Sequence, residues 1–276
     1  MWAAQITEFN TPYTISTVNI PQLRPNELLV KYTPQILPLP LIPSHEPVGT
    51  VVQVGEESAS KWKDGDRVGI LRFKNACDTC AGYRRSRKRY GTLDPRFCDH
   101  RETGGIKNDG CFATYMVADS ATTIALPDSV SFEQGAPLLC AGATVWGAIN
   151  KARPFLQAGD MIAYGRHDMP TELQPDHLIT STHDDACEKI LERTGVVLLG
   201  LPPEPWRFDT HPIVFRQLVL RGSYVASREE VEEMMAVVDQ HGVRSQLKVV
   251  KKDDILQVPE MYLSRSFRGC LVVRFD

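Results

Sequence analysis

The chain has 276 residues, a formal net charge of −3, 42% hydrophobic and 24% charged residues, and 19 Gly and 19 Pro. That length allows one large or two small domains with a substantial core, and the charge excludes a general pull toward nucleic acid or anionic membrane. No apolar run approaches the roughly 18 residues that span a bilayer, the start Met1–Phe9 has no basic stretch leading into an apolar one, and seven cysteines suit reduced thiols or metal ligands better than a disulfide framework, so a cytoplasmic protein is expected.

The first ~130 residues read as short strands broken by turn residues, which predicts a compact β-barrel-like unit. Strands are expected at 27–33 after Arg24-Pro-Asn, at 48–55, at 66–71 after the turn at 63–65, and at 111–117. At Ser131 the pattern turns helical, with Ser131 as N-cap and apolar residues running on to Ala148. Further strands are expected at 161–165, 177–180, 195–200, 217–225, 248–250 and 269–275. Helices are expected at 184–193 and at 229–240, the latter with Val231, Met234, Met235 and Val238 on one face. A β-rich part followed by alternating strands and helices predicts an α/β protein of two lobes, with 1–130 and 248–276 forming one and 131–247 the other.

Several segments in order resemble the zinc-type medium-chain alcohol dehydrogenase family. They are Ile42-Pro-Ser-His45-Glu46-Pro-Val-Gly, Trp62-Lys-Asp-Gly-Asp66-Arg-Val-Gly, Gly110-Cys-Phe-Ala-Thr-Tyr-Met-Val, Ala136-Pro-Leu-Leu-Cys140-Ala-Gly-Ala-Thr-Val-Trp146-Gly, Gly200-Leu-Pro-Pro, Leu220-Arg-Gly-Ser-Tyr and Arg268-Gly-Cys-Leu-Val-Val. The resemblance implies a GroES-like β-barrel domain, completed by the last residues of the chain, and a Rossmann-like parallel-sheet domain. Against that expectation, only 29 residues separate Gly165 from Gly195. A βαβ unit takes roughly 30 residues, so this coenzyme lobe holds one βα unit where about three are expected.

The resemblance also implies two zinc sites. For the catalytic one, His45 and Cys140 match family ligands, but no cysteine precedes Cys77, and the loop 33–43 that should carry the remaining ligand holds four prolines instead. Glu46 is the substitute at hand. If His45 and Glu46 are extended, however, their side chains point to opposite faces and cannot share an ion undistorted. A rebuilt metal site and a pair of leftover packed residues both stay open. For the structural site, Cys77-Asp-Thr-Cys80 and Cys98 match, Tyr83 stands where a cysteine is expected, and His100 can complete a mixed sulfur–nitrogen set. Free thiols are the alternative. The Arg84–Arg89 run reads as a solvated loop.

A dinucleotide site needs closely spaced glycines after the first strand. Gly165-Arg-His-Asp168-Met-Pro170 keeps one, adds a negative charge and loses an N–H donor at Pro170. Asp184 and Asp185 lie where a ribose-binding acid is expected, but they read equally as a helix N-cap. Bound NAD(P) is therefore not expected; the expectation is no cofactor at all, with zinc as the open alternative. What remains is a pocket for a small organic molecule, with His45 and Glu46 as acid–base residues and Tyr32, Cys140 and Trp146 as lining. The first reading is cofactor-independent isomerisation, dehydration or cyclisation, as in natural-product tailoring. A zinc- and NAD(P)-dependent oxidoreductase and a non-catalytic binding protein are the alternatives. Analogy with the family adds a homodimer through the 218–225 edge, which an exposed strand would otherwise leave open to uncontrolled pairing.

Overall fold

The computed structural model describes residues 1–8, 11–32, 40–77, 79–92, 94–155, 162–165, 177–180, 195–198, 210–264 and 267–275, with only the backbone at 31–32, 155, 162–165, 177–180, 195–196 and 212. The loop at 33–39, the turn at 166–170, the acids at 184 and 185 and the helix expected at 184–193 fall outside these residues. The chain divides into two compact units, Met1–Ala143 with Ser227–Asp276, and Thr144–Ala226.

In the first unit, β1 (Trp2–Gln5) pairs antiparallel with β2 (Thr14–Thr17). β3 (Glu27–Tyr32), β4 (Val48–Val54) and β5 (Arg67–Ile70) follow, then the short β6 (Phe73–Lys74), α1 (Ala81–Tyr90) and β7 (Glu102–Thr103). With β8 (Tyr115–Asp119) and β9 (Thr123–Ala125), the main sheet has the order β8-β3-β4-β5-β9, antiparallel throughout. Period-two alternation builds its core: Leu28 and Val30, Val68 and Ile70, and Met116 and Ala118 are buried against Val51, Trp62 and Cys111. The strand expected at 111–117 begins four residues late, because the amides of Cys111 and Phe112 are taken by the Pro43 carbonyl, each at 2.7 Å.

The helix expected from Ser131 is interrupted. Ser131 caps α2 (Phe132–Gly135) by accepting from the Gln134 amide, but a 3₁₀ turn over Ala136–Leu139 follows before α3 (Ala141–Ala152). Pro137, lacking an N–H, sits in that turn.

The second unit carries two parallel strand pairs, β10 (Ile162–Gly165) with β11 (His177–Thr180), and β12 (Gly195–Leu198) with β13 (Val219–Gly222). α4 (Thr210–Phe215) precedes β13. The chain then re-enters the first unit through α5 (Arg228–His241). Ser227 and Glu230 form its capping box, and Val231, Met234, Met235 and Val238 form its buried face. β14 (Leu247–Lys251), α6 (Val258–Ser264) and β15 (Cys270–Arg274) complete the fold, β14 and β15 being parallel. Val250, Ile255, Val258 and Val273 share a second core with Ala3, Ala4, Ile42 and Phe112. This is an α/β fold with a sheet-rich region and a small parallel-sheet region. Among the described residues, no helix is long and apolar enough to cross a membrane.

Candidate functional site

Among the described residues, two clusters of metal-type donors form, both within the first unit. The first joins His45, Glu46 and Cys140. Hydrogen bonds hold the 42–44 segment down: the carbonyls of Ile42 and Pro43 accept from Gly110, Cys111 and Phe112, and Ser44 accepts from Cys111. The Asp109 carboxylate accepts from the Ile42 amide at 3.0 Å. Ser44 is thereby held at φ 84°, a left-handed conformation that a serine adopts only under constraint. The backbone then bends at His45. The extended pair assumed from the sequence is thus not what forms. His45 Nε2 and a Glu46 oxygen lie 4.0 Å apart, and His45 Nε2 is 3.2 Å from Cys140 Sγ. The three donors all fall within 4.8 Å of one another. Cys140 reaches them from the kink between the 3₁₀ turn and α3, anchored by buried Leu139, which presses on Gly69: a Cβ there would meet Leu139 at 2.8 Å.

Burial dominates the electrostatics of this cluster. It pulls His45 down to about 4, the Arg72 guanidinium adding to the effect, so the imidazole is neutral at physiological pH. It pushes Glu46 up to about 7, against a hydrogen bond from Cys140 and the charge of Arg72. It lifts the Cys140 thiol to about 11, the Glu46 charge assisting and Arg72 opposing. Arg72 therefore favours the ionised, metal-binding forms of both acids. The sequence offered no signal for Arg72, nor for Cys270, whose thiol is raised by burial and by the charge of Glu46.

The donor set fits zinc, which accepts a neutral imidazole, a carboxylate and a thiolate and keeps a further position open at catalytic centres. His45 Nε2, Cys140 Sγ and a Glu46 oxygen would be the ligands, and binding must displace the thiol proton. A small cleft beside them is lined by Ser44, His45, Arg72, Lys74, Gly104 and Asp119, among others. Of the expected lining residues, Tyr32 is described by its backbone alone, paired with Gly49 on β4. Trp146 belongs to the second unit, half-buried on α3 with the Arg153 guanidinium 5.5 Å from its ring centre.

The second cluster holds Cys77, Cys80 and Cys98, with donors mutually within 4.8 Å. Their Sγ atoms lie 3.6 Å (Cys77–Cys98) and 3.8 Å (Cys80–Cys98) apart, and His100 Nδ1 is 3.6 Å from Cys77 Sγ. Zinc bonds of ~2.3 Å to sulfur and ~2.0 Å to nitrogen in a tetrahedron require donor separations of roughly 3.8 and 3.5 Å. Amides of Cys77, Tyr83 and Asp99 donate to these sulfurs at 3.3 Å. Such donors favour thiolates, and backbone N–H groups, led by that of Thr79, bring Cys77 down to about 6. Burial raises Cys98. This arrangement fits a closed metal site with the thiols as ligands and His100 at its exposed edge.

The basic run is helix, not loop. Cys80 Sγ caps α1, Gly91 ends it in the left-handed region, and the cations Arg87, Lys88 and Arg89 occupy the last turn, where the helix dipole favours them. Its buried face is only Gly82 and Ser86. Arg96, in the turn that follows, pairs with Asp94 at 2.6 Å and with Glu230 of α5 at 3.5 Å.

Comparison with known proteins places these residues in context. Residues 17–128 match the family model described as the alcohol dehydrogenase GroES-like domain. A curated alcohol dehydrogenase from Rhizobium meliloti (strain 1021) is 26% identical over 344 aligned positions, covering 99% of this chain and 98% of that protein. The 276 residues here cannot fill that alignment, so positions of the relative stand opposite gaps. A probable cinnamyl alcohol dehydrogenase 1 from Nicotiana tabacum is 28% identical over 286 positions, covering 85% of this chain and 80% of that one. Among solved structures, the CAD from Helicobacter pylori complexed with NADP(H) superposes with a TM-score of 0.77 at 17% identity, covering 99% of this chain and 97% of that chain.

Proposed function

Because the chain belongs to the medium-chain alcohol dehydrogenase/reductase family, we propose that it is a zinc- and NAD(P)-dependent oxidoreductase interconverting a small alcohol and its carbonyl compound. The observation that carries this reading is the convergence of the His45, Glu46 and Cys140 donors within 4.8 Å despite the missing early cysteine. It displaces the cofactor-independent isomerisation, dehydration or cyclisation expected from the sequence. The relatives named above are dehydrogenases, and a protein of the same fold carries NADP(H). The nucleotide enters from those relatives alone, since the 166–170 turn lies outside the described residues.

Zinc at this site would supply Lewis-acid polarisation of the substrate oxygen. The chain's own groups do the rest. His45, kept neutral by burial, presents a lone pair at physiological pH. Cys140 gives up its proton on metal binding, and the Arg72 charge lowers the cost of the resulting thiolate. Glu46, pushed up to about 7 by burial in the metal-free protein, would likewise give up its proton to enter the site as a carboxylate ligand. Cys77, Cys80 and Cys98, with His100, would hold a second, structural zinc.

Metal analysis and nucleotide titration test this reading. Protein purified in zinc-replete medium is expected to carry two zinc ions per chain, one of them lost in His45→Ala and in Cys140→Ser, and to bind NADPH with micromolar affinity by fluorescence. Zinc content indifferent to both substitutions, together with no nucleotide signal, would contradict the proposal and return the cofactor-independent reading.

A further inference from the structure

We infer that the exposed face of α1 is a docking surface for double-stranded DNA, its cations set against the phosphates that line one major groove. The inference goes beyond the oxidoreductase reading and does not depend on it.

The net charge of −3 conceals a local concentration of the opposite sign. Residues 77–101 carry seven Arg and Lys against three Asp and Glu, while the rest of the chain carries 24 against 31. Five of the seven, Arg84, Arg85, Arg87, Lys88 and Arg89, lie on α1, and all five are exposed. Of these five, only Arg85 meets an acid among the described residues, the exposed Asp99 at 3.9 Å, and Arg89 lies over the ring of its neighbour Tyr90.

The cluster does not serve the stability of the helix. Arg84 with Lys88, and Arg85 with Arg89, are like charges one turn apart, which repel. The inner side of α1 is instead anchored through its backbone and small residues. The Gly82 amide donates to Asp99 at 2.8 Å, and a Cβ on Gly82 would meet the Phe97 carbonyl oxygen at 2.3 Å. The Ser86 hydroxyl donates to the Tyr83 carbonyl at 2.7 Å and accepts from the Asp94 amide at 3.2 Å. The long cationic side chains are left for the solvent side.

Shape selects among anionic partners. At about 100° per residue, the five cations fan across roughly 200° of the helix circumference. A flat membrane meets only part of such a fan, and α1 has no apolar face to insert, its inner side being Gly82 and Ser86. An acidic peptide along the helix covers one stripe of it. The B-form major groove is about 12 Å wide, matches a helix about 10–12 Å across with its side chains, and carries phosphates on both walls. The deep, narrow major groove of duplex RNA does not match it. Four of the five cations are arginines, whose planar fork suits phosphate. Phosphate contacts carry no sequence information, so binding without sequence preference is expected.

Zinc-replete protein titrated into a fluorescently labelled DNA duplex of mixed sequence, read by anisotropy between about 50 and 200 mM salt, tests the inference. The wild type is expected to bind with a Kd of roughly 1–100 µM and a slope near −4 in log affinity against log salt. Arg84→Gln/Arg87→Gln/Lys88→Gln should bind at least ~10-fold more weakly, with a slope shallower by about 2–3. Arg84→Lys/Arg87→Lys, which keeps the charge, should keep the slope. The zinc content of each variant reports whether the Cys77–Cys80–Cys98 cluster beneath α1 is intact. Should the triple variant lose that zinc, Arg87→Gln alone decides, with an expected slope change of about 1. No anisotropy change in the wild type, or a slope unmoved by removal of these cations, overturns the inference. So does equal or tighter binding of polyglutamate, of phosphatidylserine vesicles or of duplex RNA of the same length.

Discussion

Replacing Glu46 by Gln keeps the shape of the side chain and removes its titration. In the metal-free protein, burial raises Glu46 from the ordinary 4.5 to about 7. A group whose folded value lies above its unfolded value stabilises the fold fully below pH 4.5 and loses that contribution as pH rises through 7. The difference corresponds to about 3 kcal/mol, nearer 2 once the 30% exposure of the side chain is allowed for. His45 works in the opposite direction. Its folded value of about 4 lies below 6.5, so its contribution is complete above pH 6.5 and disappears as pH falls toward 4. Because His45 is present in both proteins, the difference between wild type and Glu46→Gln isolates the carboxylate. With about 2–4 °C in Tm per kcal/mol for a chain of this size, wild-type Tm in chelator should fall by roughly 5–10 °C relative to the variant between pH 4 and 8. Differential scanning calorimetry across that range reads it directly. With excess zinc the sign should reverse, the wild type gaining more at pH 8 because only it offers a carboxylate ligand. Parallel pH profiles for the two metal-free proteins would refute the claim that Glu46 is held at a desolvated donor site.

The second cluster should behave as a metal site independent of the first. Cys98→Ser is expected to remove one zinc per chain and expose α1 to proteolysis while leaving the His45-dependent zinc in place; loss of both ions or of neither would count against this. Gly82→Ala places a Cβ 2.3 Å from the Phe97 carbonyl oxygen and 2.4 Å from Asp99 Oδ1, and should destabilise the α1 lobe by about 1–3 kcal/mol, read as earlier proteolytic cleavage there. Arg96→Met leaves the buried Asp94 carboxylate unpaired and should cost about 3 kcal/mol or more. Thermal unfolding of Arg96→Met against the double variant Asp94→Leu/Arg96→Met should show most of that loss recovered in the double variant.

The sequence revealed most where chemistry and local pattern coincide. Strand composition bounded by turn residues marked β3, β4 and β5 to within two residues of their ends, and the spacing of Val231, Met234, Met235 and Val238 marked α5. His45, Cys140 and the Cys77–Cys98 group were visible as potential donors because their residue types carry that chemistry. The relation of Glu46 to His45 was not visible. It depends on the left-handed Ser44, and that conformation is imposed by hydrogen bonds from residues 110–112, nearly seventy positions away. α1 was misread for a related reason. A run of like charges argues for a loop unless the caps are known, and a cysteine cap and a terminal glycine give the helix a start and a stop. Arg72 carried no pattern at all, since an arginine after a strand means little until the fold brings it beside three titratable groups.

The central claim is that a redox centre persists on a chain shorter than its relatives, and aldehyde-dependent oxidation of NADPH by zinc-reconstituted protein tests it most directly. Turnover that requires added zinc, is retained in Cys98→Ser protein that still folds, and is abolished in Cys140→Ser is the predicted result. A folded wild type with zinc bound at His45 and Cys140 that oxidises neither NADPH nor NADH with any aldehyde supplied would contradict it.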